Sequence, residues 1–423
     1  MAGNRHRGAT SAVSGLVAVL SLVLLTGGCS QKKGAAAAGT AGSAASAGNS
    51  APVPSTPSTP PAVVRFNPAT GAAGVDPLEP IRVAVAGGSL SDVTVTNGAG
   101  TAVKGALSAD KLSWASAEEL GYDKSYTIKA VATNAGGDET TQASSFTTVK
   151  PHNLTMPYIQ TAAGGAIDPG VTFGVGQVVR VHFDEAIPDR KAAQATLQVT
   201  TAPDQTGAFS WLSDRDVYWR TRTYLTPGTK VTITAKAYGK NFGNSLYGQS
   251  DSTTWFKVGN KHISIADDRN KIVRVYSNGT LVKTMPTSMG RHTSIKGDTG
   301  MIDLRTNSGP HVVVGGEKNI DMNSASFGLS KGANAYRTTV PVGVRISYDG
   351  EYVHWADWSV RQQGKTDTSH GCLNVSPANA YWFYGFSVPG DIVDVRNTGR
   401  TLAEWNSGYW NVSWATWISD SAT

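Results

Sequence analysis

The chain has 423 residues, enough for roughly three domains at about 100–200 residues each. Thirty-seven Lys and Arg against 31 Asp and Glu leave a net charge of +6. The basic residues are scattered along the chain rather than clustered, which speaks against a nucleic-acid partner. The 47 glycines and recurrent Val/Thr runs favour strands over helices, so the expected fold is mainly β.

Arg5 and Arg7 precede an apolar stretch at 16–25. At about 10–12 residues it is shorter than the ~20 needed to span a bilayer, so residues 1–28 read as a secretion signal. Thr26-Gly27-Gly28-Cys29 resembles a lipoprotein signal-peptidase site, which makes Cys29 the expected lipidated first residue of the mature protein. The only other cysteine, Cys372, lies in a different context, so the two are read as separate chemistries and not as a disulfide. Residues 29–62 are the lipidated cysteine and a linker of Ala, Gly, Ser, Thr and Pro, a composition that buries no core. A coil of that length spans about 30 Å. The expected location is therefore outside the cell, anchored to the membrane by lipid and held off its surface.

Residues 63–149 alternate in the manner of antiparallel strands at 81–85, 93–95 and 126–128, and residues 150–258 do so at 178–183 and 231–234. Trp114, Leu120 and Ile128 recur at the same spacing as Trp219, Leu225 and Ile233, and Phe146 and Phe256 close the two blocks. This predicts two immunoglobulin-like sandwiches with the tryptophans in their cores. Gly174-Val175-Gly176 lacks the third glycine of a dinucleotide fingerprint and reads as a turn.

From residue 259 to 398 the pattern changes to a β-rich domain with a short helix. Strands are expected at 262–266, 271–276, 280–284, 312–314, 344–348 and 391–395, with Asn278-Gly279 as a hairpin turn. Ser376 and Pro377 start a helix over 379–386. Residues 399–423 form a Trp-rich tail, expected to pack on this domain.

The chemistry concentrates in Thr368-Ser369-His370-Gly371-Cys372-Leu373-Asn374, with His354 eighteen residues before Cys372. A thiol near neutral pH needs a base or a positive neighbour to act as a nucleophile. His370 and Cys372 share a face if the segment is an extended strand. Same-face neighbours then sit roughly 6–7 Å apart, beyond the ~2.6–3.2 Å of a proton transfer. His354, on a strand that can pair alongside, reaches across more easily. The Gly371 and Cys372 amides are candidates for an oxyanion site, and Asn374 for a loop-fixing or substrate-binding role. One cysteine and two histidines without a suitably spaced carboxylate do not make a zinc site, and no metal or cofactor is expected.

The pattern of His354, its spacing, and Ser369-His370-Gly371-Cys372-Leu373-Asn374 resembles the signature of L,D-transpeptidases with YkuD-like catalytic domains. The immunoglobulin-like pair and Trp-rich tail are similar to the actinobacterial, mycobacterial-type architecture. The resemblance implies that Cys372 attacks the carbonyl between meso-diaminopimelate and the terminal D-Ala of a peptidoglycan stem. The side-chain amine of another stem's third residue then resolves the thioester and joins two third residues. Resolution by water or by a protein amine are the alternatives, as is a vestigial, wall-binding spacer.

By the same likeness His354 is the base, the Trp355 carbonyl orients its other nitrogen, and residues 322–337 form a lid carrying Tyr336 and Phe327. Ser369, Asn374, Trp355, Phe327 and Tyr336 are then the candidate substrate contacts, and carbapenems the expected covalent inhibitors. Three departures from the family pattern stand out: Trp355 where a small residue is usual, Ser294-Ile295-Lys296-Gly297 without a proline, and Phe327 where a tyrosine is common. His354 is expected to set the thiolate population and His370 mainly to support the loop and the oxyanion site, so removal of His354 should move the reactive transition of Cys372 up towards ~8.5.

Overall fold

The computed structural model describes residues 59–422. The expected signal, Cys29 and the linker up to residue 58 lie outside the described residues.

The first sandwich packs a four-stranded sheet on a three-stranded one. The four strands run in the order Val63–Asn67, Arg82–Ala86, Ser113–Ser116 and Gly105–Leu107, and the three in the order Gly88–Asn97, Ser125–Asn134 and Glu139–Thr147. Along Ser125–Asn134 the period-two alternation turns Tyr126, Ile128, Ala130 and Ala132 inward. The second sandwich has two four-stranded sheets: Gly207–Trp211, Asp216–Thr221, Val179–Phe183 and Pro157–Thr161 against Thr172–Phe173, Ser252–Val258, Lys230–Ala235 and Leu197–Ala202.

The repeated residues occupy matching places. Trp114, Leu120, Ile128 and Phe146 lie in one core, and Trp219, Leu225, Ile233 and Phe256 in the other. Each indole lies over a glycine on the neighbouring strand. Gly105 pairs with Ser116, and Gly207 with Thr221, each two residues beyond its tryptophan. A Cβ on Gly105 or Gly207 would fall 2.0 or 2.2 Å from the ring. The sequence spacing therefore reports a packing unit, a large ring seated on bare backbone.

The catalytic domain has a two-stranded sheet, Ser294–Lys296 with Met301–Asp303, and two larger ones. The first runs Thr280–Pro286, Ile272–Ser277, His262–Asp267, Ile392–Arg396, Gly309–Val312, and the second Gly315–Asn323, Arg337–Arg345, Tyr352–Trp355, Leu373–Val375. Asn278 and Gly279 both have positive φ, +49° and +87°, between the paired residues Ser277 and Thr280. That is the type I′ turn their identities favour. Ser376 caps the helix Pro377–Phe386 through the Asn379 amide, and Ala380 and Phe383 bury into the core formed by Val273, Val342, Val353 and Leu373. The strand expected at 344–348 runs instead over Arg337–Arg345, and 346–350 form the turn into Tyr352–Trp355. Ser347, Asp349 and Gly350 favour that turn over a strand.

Gly174-Val175-Gly176 is more than a turn. The Gly174 and Gly176 amides donate to the carbonyls of Pro389 and Gly390, both at 2.8 Å, which docks the second sandwich on the catalytic domain backbone to backbone. A Cβ at Gly174 would lie 2.2 Å from the Asp391 nitrogen. Gly174→Ala should lower stability by about 1–3 kcal/mol, the usual cost of overpacking. A thermal melt tests this, and an unchanged melting temperature would show that the seam gives way freely.

The tail also lies in this seam. The Trp410 and Trp417 indoles donate to the carbonyls of Gly176 and Ala208, each at 2.9 Å. The Arg220 guanidinium sits 4.8 and 4.6 Å from their ring centroids and donates to the Val412 carbonyl. Tyr409 reaches Tyr348 on the catalytic side. The tail also bonds to the catalytic domain, where Ser407 donates to the Ile346 carbonyl and Asn406 accepts the Asp349 amide, while the Trp410 and Trp417 indoles bind the second sandwich.

Candidate active site

Cys372 lies at the end of a bend at 370–372 that leads into the strand Leu373–Val375. That strand runs parallel to Tyr352–Trp355, with His354 opposite Asn374. The expected extended strand through His370 and Cys372 is not formed. Gly371 has φ +141°, a conformation that favours glycine, and it breaks the alternation. The Ser369 hydroxyl stabilises the bend, donating to the Cys372 carbonyl at 2.7 Å and accepting the Gly371 amide at 3.1 Å. The Gly371 amide is thus engaged within the bend and not free for an oxyanion. Of the two expected amides, that of Cys372 remains for this role.

The two histidines have different surroundings. His354 is buried, and its Nδ1 lies 2.7 Å from the Trp355 carbonyl. Nδ1 therefore carries the proton and Nε2 keeps its lone pair. Burial holds its pKa down at about 4, against smaller opposing effects of the Trp355 carbonyl and Asn374. His370 Nε2 accepts from the Arg291 guanidinium at 2.9 Å, which occupies the lone pair a base would use. Burial and the Arg291 charge both lower its pKa. The ring packs in a tilted arrangement 4.9 Å from Tyr336 and 6.2 Å from Phe327, so it supports the lid.

Cys372 Sγ points at the Gly350 carbonyl, 3.6 Å away. Burial pushes the thiol up to about 12; the Tyr352 amide opposes this, while Glu351 and Asp349 add to it. Thiol and imidazole are therefore both neutral in the free protein, and the expected preformed thiolate is not supported. Tyr336 is kept protonated by burial and by the neighbouring Cys372.

Three cavities converge on Cys372 and Tyr336. The first, about 380 Å³, is lined by His354, Trp358, Ser369, His370 and Asn374. The second, about 450 Å³, and the third, about 380 Å³, open past Asp349, Gly350 and Phe327. Trp355 lines none of the three. Its indole packs 5.6 Å from Trp358, and it is the half-exposed Trp358 that faces the first cavity. Asn374 is buried and donates to Ser359 at 3.1 Å.

Several supporting residues carried no sequence signal. Thr306, fully buried, donates to the Gly371 carbonyl at 2.8 Å and accepts the Gly290 amide. Glu351 is buried beside Gly371 and accepts from the Asn307 amide, the Asn307 side chain and His311. Asp268, His292 and Asp367 converge closely enough to hold an ion, but Lys271 bridges the two aspartates. Arg291 also donates to Asn334 in the lid at 3.2 Å. Arg291→Met should raise the His370 pKa, since it removes a lowering charge, and reduce turnover by about tenfold through a looser lid. Histidine NMR titration checks the first expectation and steady-state kinetics the second.

Comparison with known proteins places these features. Residues 260–395 match the L,D-transpeptidase catalytic domain (YkuD), and residues 72–241 the bacterial Ig domain. L,D-transpeptidase 2 of Mycobacterium tuberculosis is 42% identical over 355 residues, 83% of this chain and 83% of its own length. L,D-transpeptidase 5 of the same species is 33% identical over 364 residues, 84% of this chain and 76% of its own. A solved L,D-transpeptidase in complex with imipenem superposes with a TM-score of 0.47 and 28% identity, covering 57% of this chain and 99% of its own.

Proposed function

The chain belongs to the L,D-transpeptidase family and is a peptidoglycan L,D-transpeptidase, and from that premise we propose that Cys372 and His354 carry the two acyl transfers. The tautomer of His354 supports this reading most directly: the Trp355 carbonyl holds the proton on Nδ1, which keeps the basic lone pair on Nε2, and the ring lines the cavity that Cys372 shares. Sγ attacks the carbonyl of the third stem residue as its proton passes to Nε2. The tetrahedral oxyanion forms beside the Cys372 amide and the Tyr336 hydroxyl. Nε2 then returns the proton to the departing amine, and D-Ala leaves. An incoming amine attacks the thioester, its proton goes to Nε2, and the peptide bond forms as Sγ is released and reprotonated.

Incubation with a defined disaccharide-tetrapeptide tests the reading. The expected product is a dimer joined through two third residues, with one D-Ala released per link. Tripeptide alone would make the enzyme a carboxypeptidase.

The same site accounts for covalent inhibition by carbapenems, since a β-lactam carbonyl can meet Sγ in the same cavity. An intact-mass adduct that disappears in Cys372→Ala is the expected result. The basic start, the apolar stretch and Cys29 support a lipid anchor facing the cell wall. Cys29→Ser should then release the protein from membranes or block its processing, and an unmodified, freely soluble wild type would refute the anchor.

A further inference from the structure

Sγ divides the site into chemically different sides. His354 lines only the first cavity, which holds no Lys, Arg, Asp or Glu. The second cavity holds Asp321, Arg345 and Asp349. Asp321 is already paired with Arg337 at 2.8 Å. Arg345 and Asp349 have no partner of opposite charge in ion-pair range among the described residues. Arg345 donates to the carbonyls of Ser347 and Tyr348 at 3.0 and 2.7 Å, and Asp349 accepts from the Ser347 hydroxyl at 2.5 Å. One turn, 345–350, therefore presents a fixed guanidinium and a fixed carboxylate into a cavity that ends at the nucleophile.

The reaction decides what occupies each side. The group that protonates the leaving amine and deprotonates the incoming one is His354, so D-Ala and the acceptor both use the first cavity. The part of the donor that stays on sulfur must extend away from His354, past Gly350. For a donor whose third residue is diaminopimelate, that part includes a side chain ending in an ammonium and a carboxylate on one carbon. An unpaired cation and an unpaired anion on one turn match such a zwitterion.

We propose that Arg345 and Asp349 form a donor subsite that reads the zwitterionic end of the third residue's side chain, Arg345 taking its carboxylate and Asp349 its ammonium. This rests on the transpeptidase reading above. It makes the two residues specificity determinants for the donor and not parts of the acyl-transfer machinery.

The test compares Cys372 acylation by two disaccharide-tetrapeptides that differ only at the third residue, diaminopimelate against lysine, which keeps the ammonium and lacks the carboxylate. A charge-assisted contact of this kind corresponds to about 10- to 100-fold in kcat/KM. The wild type should prefer the diaminopimelate donor by that factor, and Arg345→Gln should bring the ratio to within about twofold of one. Asp349→Asn, on the exposed part of the turn, should raise KM for both donors about tenfold and leave their ratio intact. A wild-type ratio near one, a ratio that survives Arg345→Gln, or an Asp349→Asn enzyme with unchanged KM overturns the proposal. If Arg345→Gln fails to fold, the wild-type ratio and the Asp349 arm still decide it. A wild type acylated by neither donor would instead refute the transpeptidase reading itself.

Discussion

His354→Ala should slow acylation of Cys372 by a tetrapeptide donor by about 10²–10⁴-fold, the range of a lost general base. His370→Ala should cost less, because its Nε2 is already taken by Arg291 and cannot receive the thiol proton. The His370 defect should instead appear in KM and in lid behaviour, since the ring supports Tyr336. Single-turnover acylation followed by intact mass separates the two. A folded His354→Ala enzyme that acylates at the wild-type rate, with His370→Ala inactive, would reverse the assignment.

The free enzyme should react with a small alkylating reagent as a protonated thiol does. With the thiol pushed up to about 12, the thiolate fraction rises tenfold per pH unit across the neutral range and reaches no plateau there. Alkylation should therefore keep accelerating to pH 10, where an ion-paired cysteine would already have levelled off. His354 does not change this sign. Its pKa of about 4 leaves it neutral at pH 7, so His354→Ala removes no positive charge from beside the sulfur and should shift the alkylation profile little. This replaces the expectation of a transition displaced towards ~8.5. Turnover should depend on His354 strongly all the same, because the proton moves during attack and not before it. Below pH 4 the imidazole takes a proton, the base is lost, and turnover should fall. A rate that levels off below pH 8 would show that a thiolate already exists in the resting site.

The chemistry was legible in the sequence because it lies in one short segment and one strand partner. His354, His370, Gly371, Cys372 and Asn374 are all present in the bend and the two paired strands. The sandwich cores were legible because the Trp, Leu, Ile and Phe spacings mark packing positions on strands. What stayed hidden depends on contacts between loops far apart in the chain. Arg291 meets His370 across 79 residues, Thr306 meets Gly371 across 65, and Asn307 meets Glu351 across 44. Polar residues in irregular segments have no period to reveal such pairings. The protonation states were hidden for the same reason. A His next to a Cys in sequence suggests an ion pair, but burial outweighs that proximity once both groups lose water.

The account stands on a thioester at Cys372 that forms with loss of D-Ala and is resolved by an amine. Intact-mass analysis during reaction with a defined disaccharide-tetrapeptide measures this directly. The wild type should gain the mass of the donor minus one D-Ala, and the adduct should discharge into cross-linked dimer when a second stem is added. Cys372→Ala should gain nothing and form no dimer. Dimer formed by Cys372→Ala, or an adduct on the wild type that maps to any other residue, would contradict the account.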